Sequence, residues 1–139
     1  YGDGLYFYQS DVEQFIATKA AAYTMVEYMM QKIGLSMDEV EKFYLAGAFG
    51  THIKIPAGVT IGLYPDLPAE RIVSAGNSSL LGARGILLDR ERLEDVAHFV
   101  GNTDYIQFGE VANFVDIMSA AQGIPHLDLS RYPSVQRWK

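Results

Sequence analysis

The most informative stretch of this chain is Phe43-Tyr44-Leu45-Ala46-Gly47-Ala48-Phe49-Gly50, an apolar run followed by a glycine-containing turn. Four consecutive apolar residues are of strand length and predict a central strand that is covered on both faces. The two glycines allow positive φ and a close approach between the backbone and a ligand. We therefore expect a buried strand of an α/β sheet, with the turn at its carboxyl end.

The same order of strand, glycine turn and helix occurs a second time. Residues 71–75 predict a short strand that ends in Gly76-Asn77-Ser78-Ser79, and Asn77 or Ser78 is suited to cap the following helix. Ligands of open α/β sheets bind beyond the carboxyl ends of the strands, and helix starts offer unpaired amides to phosphate. Two such turns on neighbouring strands would form one nucleotide cleft. Glycine after a strand also makes plain tight turns, and local sequence alone favours that simpler interpretation.

The rest of the chain also alternates between helical and strand patterns. Capping boxes begin a long helix at Ser10 and a single helical turn after Ser36, while Pro56 and Asp89 are placed to begin two others. Besides that single turn, the predicted helices span residues 10–33, 56–63, 77–88, 89–101 and 110–122, and the predicted strands span residues 5–8, 43–46, 71–75 and 105–108. This order predicts one α/β domain over residues 1–139, with a short central sheet flanked by helices.

The composition excludes several classes of protein. With 139 residues, 49% of them hydrophobic and 20% charged, the chain is able to bury the core of one domain. Its net charge of −6 argues against nucleic acid as a partner, and no apolar run reaches membrane-spanning length. The absence of cysteine excludes disulfides and Cys-ligated metal clusters within these residues, and it fits a cytoplasmic location.

Few side chains of this sequence suggest chemistry by themselves. No Ser, His and Asp set indicates a hydrolase, so no catalytic residue is predicted. The histidines His52, His98 and His126 are too widely spaced to predict a metal site. Lys19, on the first predicted helix, is placed either to meet an adenosine or phosphate group or to cover apolar surface with its stem.

Five stretches in this order resemble the C-terminal region of the reductive activators of corrinoid-dependent enzymes, and together they cover nearly the whole chain. They are Gln9-Ser10-Asp11-Val12 with Lys19-Ala20-Ala21, residues 43–50, residues 61–68, Gly76-Asn77 with Gly82-Ala83, and His126-Leu127-Asp128 with Tyr132-Pro133-Ser134-Val135. The chain departs from the family pattern at Ile16, at Ala20 and at Thr51-His52, so side-chain contacts at these positions are not carried over.

The resemblance implies a fold and an activity. Members of the family carry a plant-type iron–sulfur domain at the amino end and an ATP-binding domain of the actin, sugar-kinase and Hsp70 (ribonuclease H-like) kind at the carboxyl end. They pass an electron to cob(II)alamin on a partner corrinoid protein, and ATP with Mg²⁺ helps to restore the cob(I) state used in methyl transfer, as in O-demethylase systems.

The resemblance also implies nucleotide-binding residues in this chain. Gly47, Ala48, Phe49 and Gly50 would form the adenosine-side turn, and Lys19 would lie on a helix that faces the nucleotide. Gly76 and Asn77 would begin the unit that closes the site.

The superfamily binds nucleotide between two lobes, but this sequence holds neither the acidic, glycine-rich phosphate hairpin of the first lobe nor the cluster cysteines. We therefore expect residues 1–139 to be a C-terminal lobe fragment that neither hydrolyses ATP nor transfers electrons alone. Its expected partners are the remainder of its own polypeptide and a corrinoid protein, and a homodimer is left open. Two alternatives stay open: a non-catalytic docking module for a corrinoid protein, and a fragment of a sugar or acetate kinase-like phosphotransferase.

Overall fold

The computed structural model describes Gly4, residues 6–107 and residues 111–135. The helices within these ranges are α1 (Gln9–Ile33), α2 (Gly47–His52), α3 (Ile55–Thr60), α4 (Ser78–Leu88), α5 (Arg92–Gly101) and α6 (Phe114–Ala121), and the strands are β1 (Phe43–Ala46) and β2 (Ile72–Gly76). Single 3₁₀ turns lie at Met37–Glu39, Ala69–Arg71 and Leu129–Arg131. This order of strands and helices confirms the predicted α/β class. None of the helices in the described ranges is both long enough and apolar enough to cross a lipid bilayer.

The long helix α1 begins and ends for local reasons. Its N-cap is Tyr8 and not the predicted Ser10, because the carboxylate of Asp11 accepts a hydrogen bond from the Tyr8 amide at 3.1 Å. The helix ends where Gly34 adopts a left-handed conformation with φ 71°, as the sequence predicts. The capping box after Ser36 is also confirmed, since the Ser36 amide donates to the carboxylate of Glu39 at 2.7 Å.

The two strands pair in parallel to form a two-stranded sheet. Phe43 lies opposite Ile72, and after an irregularity at the end of β1 Ala46 lies opposite Gly76. The prediction that β1 is covered on both faces is wrong for the part of the chain that the structure describes. Its Phe43 face packs against the core, whereas Tyr44 on the other face is 66% exposed, because none of the described elements packs over it.

The core lies beneath the sheet and is completed by the C-terminal segment. Its buried residues are Val59, Tyr64, Leu67, Ile72 and Tyr132. Helix α6 packs along α1, and the segment after α6 then returns to bring Tyr132 into the core. The N-terminal helix and the C-terminal segment therefore pack against the same core.

Four other predicted elements differ from the structure, and α5 begins at Arg92 and not at the predicted Asp89, which is the C-cap of α4. Residues 6–8 and 105–107 are not strands, because a strand needs a neighbour to pair with and neither segment has one among the described residues. Helix α3 ends at Thr60 because Gly62 adopts φ 77°, and α6 begins only at Phe114. Leu5, Phe108 and Glu110, which are parts of predicted elements, lie outside the described residues.

Candidate functional site

The two glycine turns lie side by side at the carboxyl edge of the sheet. Because the strands are parallel and Ala46 lies opposite Gly76, α2 and α4 both begin at this edge. Helix α2 packs against both strands. The structure thus brings Gly47 and Asn77 to one place in the fold, at the edge where open α/β sheets bind their ligands.

The backbone of this edge is shaped by Gly47 and Gly76. Their φ values are 77° and 59°, a conformation that residues with a side chain rarely adopt. A Cβ atom built on either glycine would meet nothing within 4 Å. Both residues therefore combine a conformation that requires glycine with open space in front of the backbone, which is what a ligand approaching the main chain needs.

The predicted turn of residues 47–50 involves fewer residues than expected. Ala48, Phe49 and Gly50 belong to the first turn of α2, and only Gly47 has positive φ. Gly50 has a different role, because a Cβ atom at this position would come within 2.5 Å of the Leu45 carbonyl oxygen. Glycine at this position lets α2 pack closely on β1, so Gly50 supports the edge and Gly47 lines it.

Neighbouring residues determine the orientation of the edge and its chemical character. The hydroxyl of Tyr64, a core residue, donates to the Phe49 carbonyl at 2.8 Å, which ties α2 to the core. The amide oxygen of Asn77 accepts from the Leu80 amide at 3.0 Å and caps α4, as the sequence predicts. Phe49 and Leu80 are more than half exposed, and residues 46–50 and 76–81 include no Lys or Arg. This chemistry suits an uncharged nucleoside better than a triphosphate.

The structure places Lys19 in an internal contact. Its side chain is fully buried, and its ammonium donates to the carbonyl of Pro125 at 2.7 Å and also to that of Gly123. Burial lowers the pKa of Lys19 from 10.5 to about 8. The contact joins α1 to the loop after α6. The nucleotide contact of Lys19 stays a prediction. In this structure the hydrogen bonds from its ammonium to the Gly123 and Pro125 carbonyls hold the loop against α1, and we call this contact the clamp.

Sequence patterns missed the polar cluster beside this clamp. The rings of Tyr23 and His126 lie 4.9 Å apart, and the Asp128 amide donates to Nδ1 of His126 at 2.9 Å. Arg131 forms an ion pair with Glu27 at 2.7 Å. Burial lowers the pKa of His126, which favours the neutral ring in this contact. The family resemblance had marked the segment that includes His126, but not its contacts with α1.

The clamp allows a stability test. We expect Lys19→Met to lower the free energy of unfolding by about 2 kcal/mol at pH 7, because the buried Pro125 carbonyl and the partly buried Gly123 carbonyl lose their donor. Lys32→Met, at an exposed position of the same helix, is the matched control and should change stability little. Chemical denaturation followed by circular dichroism measures both, and equal effects of the two variants would contradict the buried clamp.

The contribution of Lys19 to the free energy of unfolding should also depend on pH. Because the pKa of Lys19 is lowered in the folded state, the folded protein binds this proton less tightly than the unfolded chain does. The difference in stability between the parent chain and Lys19→Met should therefore grow as the pH rises from about 8 towards 10.5.

The remaining sequence candidates form no second centre. His52 lies exposed at the last position of α2. Within the described ranges, no three His, Cys, Asp or Glu side chains are grouped so that they would hold a metal ion.

Comparisons with known proteins point in one direction. A family model described as the C-terminal domain of RACo, the ASKHA domain, matches residues 1–136. The corrinoid activation enzyme RamQ of Eubacterium limosum is 29% identical over 115 residues, which are 83% of this chain and 19% of RamQ. The [Co(II) methylated amine-specific corrinoid protein] reductase of Methanosarcina barkeri is 32% identical over 97 residues, which are 68% of this chain and 17% of that protein.

A solved structure agrees with these relatives. The chain matches a reductive activator for corrinoid, iron–sulfur protein with a TM-score of 0.84 and 34% identity, over 91% of this chain and 20% of that one. The chain therefore spans about a fifth of the length of the proteins it matches.

Proposed function

Because this chain belongs to the family of C-terminal ASKHA domains of RACo, we propose that it is part of a protein that reductively activates corrinoid proteins, and that it supplies one wall of that protein's nucleotide site. The names of the relatives support the activity: one is a corrinoid activation enzyme and another reduces a Co(II) corrinoid protein. They favour this function over the sugar or acetate kinase-like alternative. The corrinoid protein is then the partner, and an electron is transferred to its cobalt.

One observation carries the proposed nucleotide wall. Gly47 and Gly76 have positive φ and face open space at the carboxyl edge of a parallel strand pair. In the proposed site their backbones approach ATP, Ala48 and Phe49 line its nucleoside half, and Gly50 and Asn77 hold α2 and α4 in place. ATP supplies the free energy that an uphill electron transfer to cobalt requires.

Other components of the site belong to the rest of the proposed protein. The exposed carboxyl edge offers no cation to a triphosphate, so its phosphates and Mg²⁺ would be bound by another lobe of the same polypeptide. The iron–sulfur cluster that donates the electron would likewise lie outside this chain, which has no cysteine. Residues 1–139 are in this proposal a C-terminal lobe fragment of a cytoplasmic protein, and they do not hydrolyse ATP alone.

The proposed activity is tested by following the oxidation state of the cobalt. The polypeptide that contains this chain and its upstream part is mixed with the corrinoid protein and a low-potential reductant, and the conversion of cob(II) to cob(I) is followed by visible absorption. We expect conversion with ATP and Mg²⁺ and little conversion when ATP is omitted. Equal conversion in both conditions would contradict a role for ATP.

Calorimetry separates this proposal from the docking-module alternative. Binding of ATP by the longer polypeptide supports the nucleotide wall. If that polypeptide binds the corrinoid protein but no ATP, this chain is a non-catalytic docking module.

A further inference from the structure

Helices α4 and α5 form a hairpin that stands apart from the core. They pack on each other, and neither helix has a buried residue. The lack of buried residues in α5 is unexpected, because this helix is amphipathic, with apolar residues at helical spacing at Leu93, Val96 and Val100. Together with Phe99 these residues form what we call the α5 stripe.

The α5 stripe faces solvent within the described structure. Phe99 is 71% exposed and Val100 is 65% exposed, while Leu93 and Val96 are about half exposed. On α4, four leucines are also exposed: Leu80, Leu81, Leu87 and Leu88. Exposed apolar residues concentrated on two neighbouring helices mark an interface and not an ordinary surface.

The length of the helices gives a second argument. Helix α4 has 11 residues and α5 has 10, and isolated helices shorter than about 12–15 residues are marginal in water. Most of the stability of such helices comes from packing of the apolar face, and the described part of this chain provides little packing for either one. A surface outside the described residues is therefore needed to cover the stripe and stabilise the hairpin.

The matched structure indicates what that surface is. This chain corresponds to 20% of the chain of the solved reductive activator, so most of that polypeptide lies outside the matched region. Helix α4 also begins directly after its N-cap Asn77, on the edge proposed to bind nucleotide. A surface of the same polypeptide that covers the hairpin would lie next to that edge, where a second wall of the cleft is required.

We propose that the α5 stripe is an intramolecular docking surface, covered by an apolar face of another segment of the same polypeptide. The inference rests on the proposed function in one respect, that this chain is part of a larger ASKHA-type protein. The occupant is a covalently linked segment, and neither a second copy nor the corrinoid protein binds there.

Photo-crosslinking tests the occupant directly and needs neither ATP nor corrinoid protein. Phe99→benzoylphenylalanine is introduced into the longer polypeptide, which is irradiated and digested for mass spectrometry. We expect a product of monomer size in which position 99 is linked to a peptide outside residues 1–139. A dimer-sized product, an adduct with added corrinoid protein, or no crosslink would overturn the proposal. The same replacement at exposed His98, one residue along the same helix but outside the stripe, is the control, and an identical crosslink there would also overturn it.

Hydrogen exchange provides a readout that does not depend on a variant. In the unmodified longer polypeptide, we expect the backbone amides of α5 to exchange at least 100-fold more slowly than those of an unstructured peptide. Exchange of α5 at the unstructured rate would show that nothing covers the stripe. Because neither measurement requires nucleotide, a failed crosslink and a failed ATP assay are separate results.

Discussion

Replacing Gly62 with alanine is expected to lower the free energy of unfolding by about 3 kcal/mol, the largest single effect on stability that we predict. Gly62 has φ 77°, and a Cβ atom on it would lie 2.8 Å from the carbonyl carbon of Pro125 and closer still to its oxygen. Backbone atoms cannot rotate out of the way as a flexible side chain can. The loop must therefore shift, and the same Pro125 carbonyl would then lose its hydrogen bond from Lys19.

Gly34→Ala is the matched control for this experiment. Gly34 has nearly the same backbone conformation, with φ 71°, but a Cβ atom on it would meet nothing within 4 Å. Its replacement should cost only the conformational strain, about 1 kcal/mol. Urea denaturation of both variants isolates the contribution of the contact with Pro125. Equal losses would mean that the close approach of residues 62 and 125 does not contribute to stability.

The second large effect concerns nucleotide affinity. In the longer polypeptide, we expect Gly47→Val to weaken ATP binding at least tenfold, as measured by calorimetry with Mg²⁺. The valine side chain would fill the open space in front of the backbone and would disfavour φ 77°. Both changes act on the surface that is proposed to contact the nucleoside.

The strain must be separated from the loss of contact, and a second valine variant does this. Gly34→Val introduces the same side chain at a similar φ, at the end of α1 and away from the carboxyl edge of the sheet. We expect its ATP affinity to stay within about twofold of that of the parent protein. If both variants bind ATP normally, Gly47 does not line the site, whereas a similar loss in both would indicate a general effect of destabilisation.

Local sequence rules predicted much of the fold. The αL glycine at the end of α1, the capping box after Ser36 and the Asn77 cap all depend on groups within about five positions of one another. The strands predicted near Tyr6 and Tyr105 failed for the opposite reason. Apolar alternation becomes a strand only when a neighbouring strand supplies hydrogen-bond partners, and no local pattern specifies that neighbour.

The candidate site was predicted in part. Two strand–glycine–helix units were visible in the sequence, and the order of motifs indicated the family. The different roles of Gly47 and Gly50 could not be predicted, because both residues are glycine and the sequence does not show their conformations or contacts. The conformation of Gly47 and the contact of Gly50 with the Leu45 carbonyl distinguish the residue that lines the edge from the residue that packs beneath it.

The sequence by itself determined the α/β class, the two glycine turns and the family, since periodicity, caps and motif order are properties of neighbouring residues. Only the tertiary structure decided that the two turns meet at one edge, that Tyr44 is exposed and that Lys19 clamps the loop after α6. The Lys19 contact joins residues 106 positions apart, and a buried lysine has the same local sequence as a solvated one. Which environment it occupies depends on how distant segments pack, because burial is a property of the assembled core and not of the helix that carries the side chain.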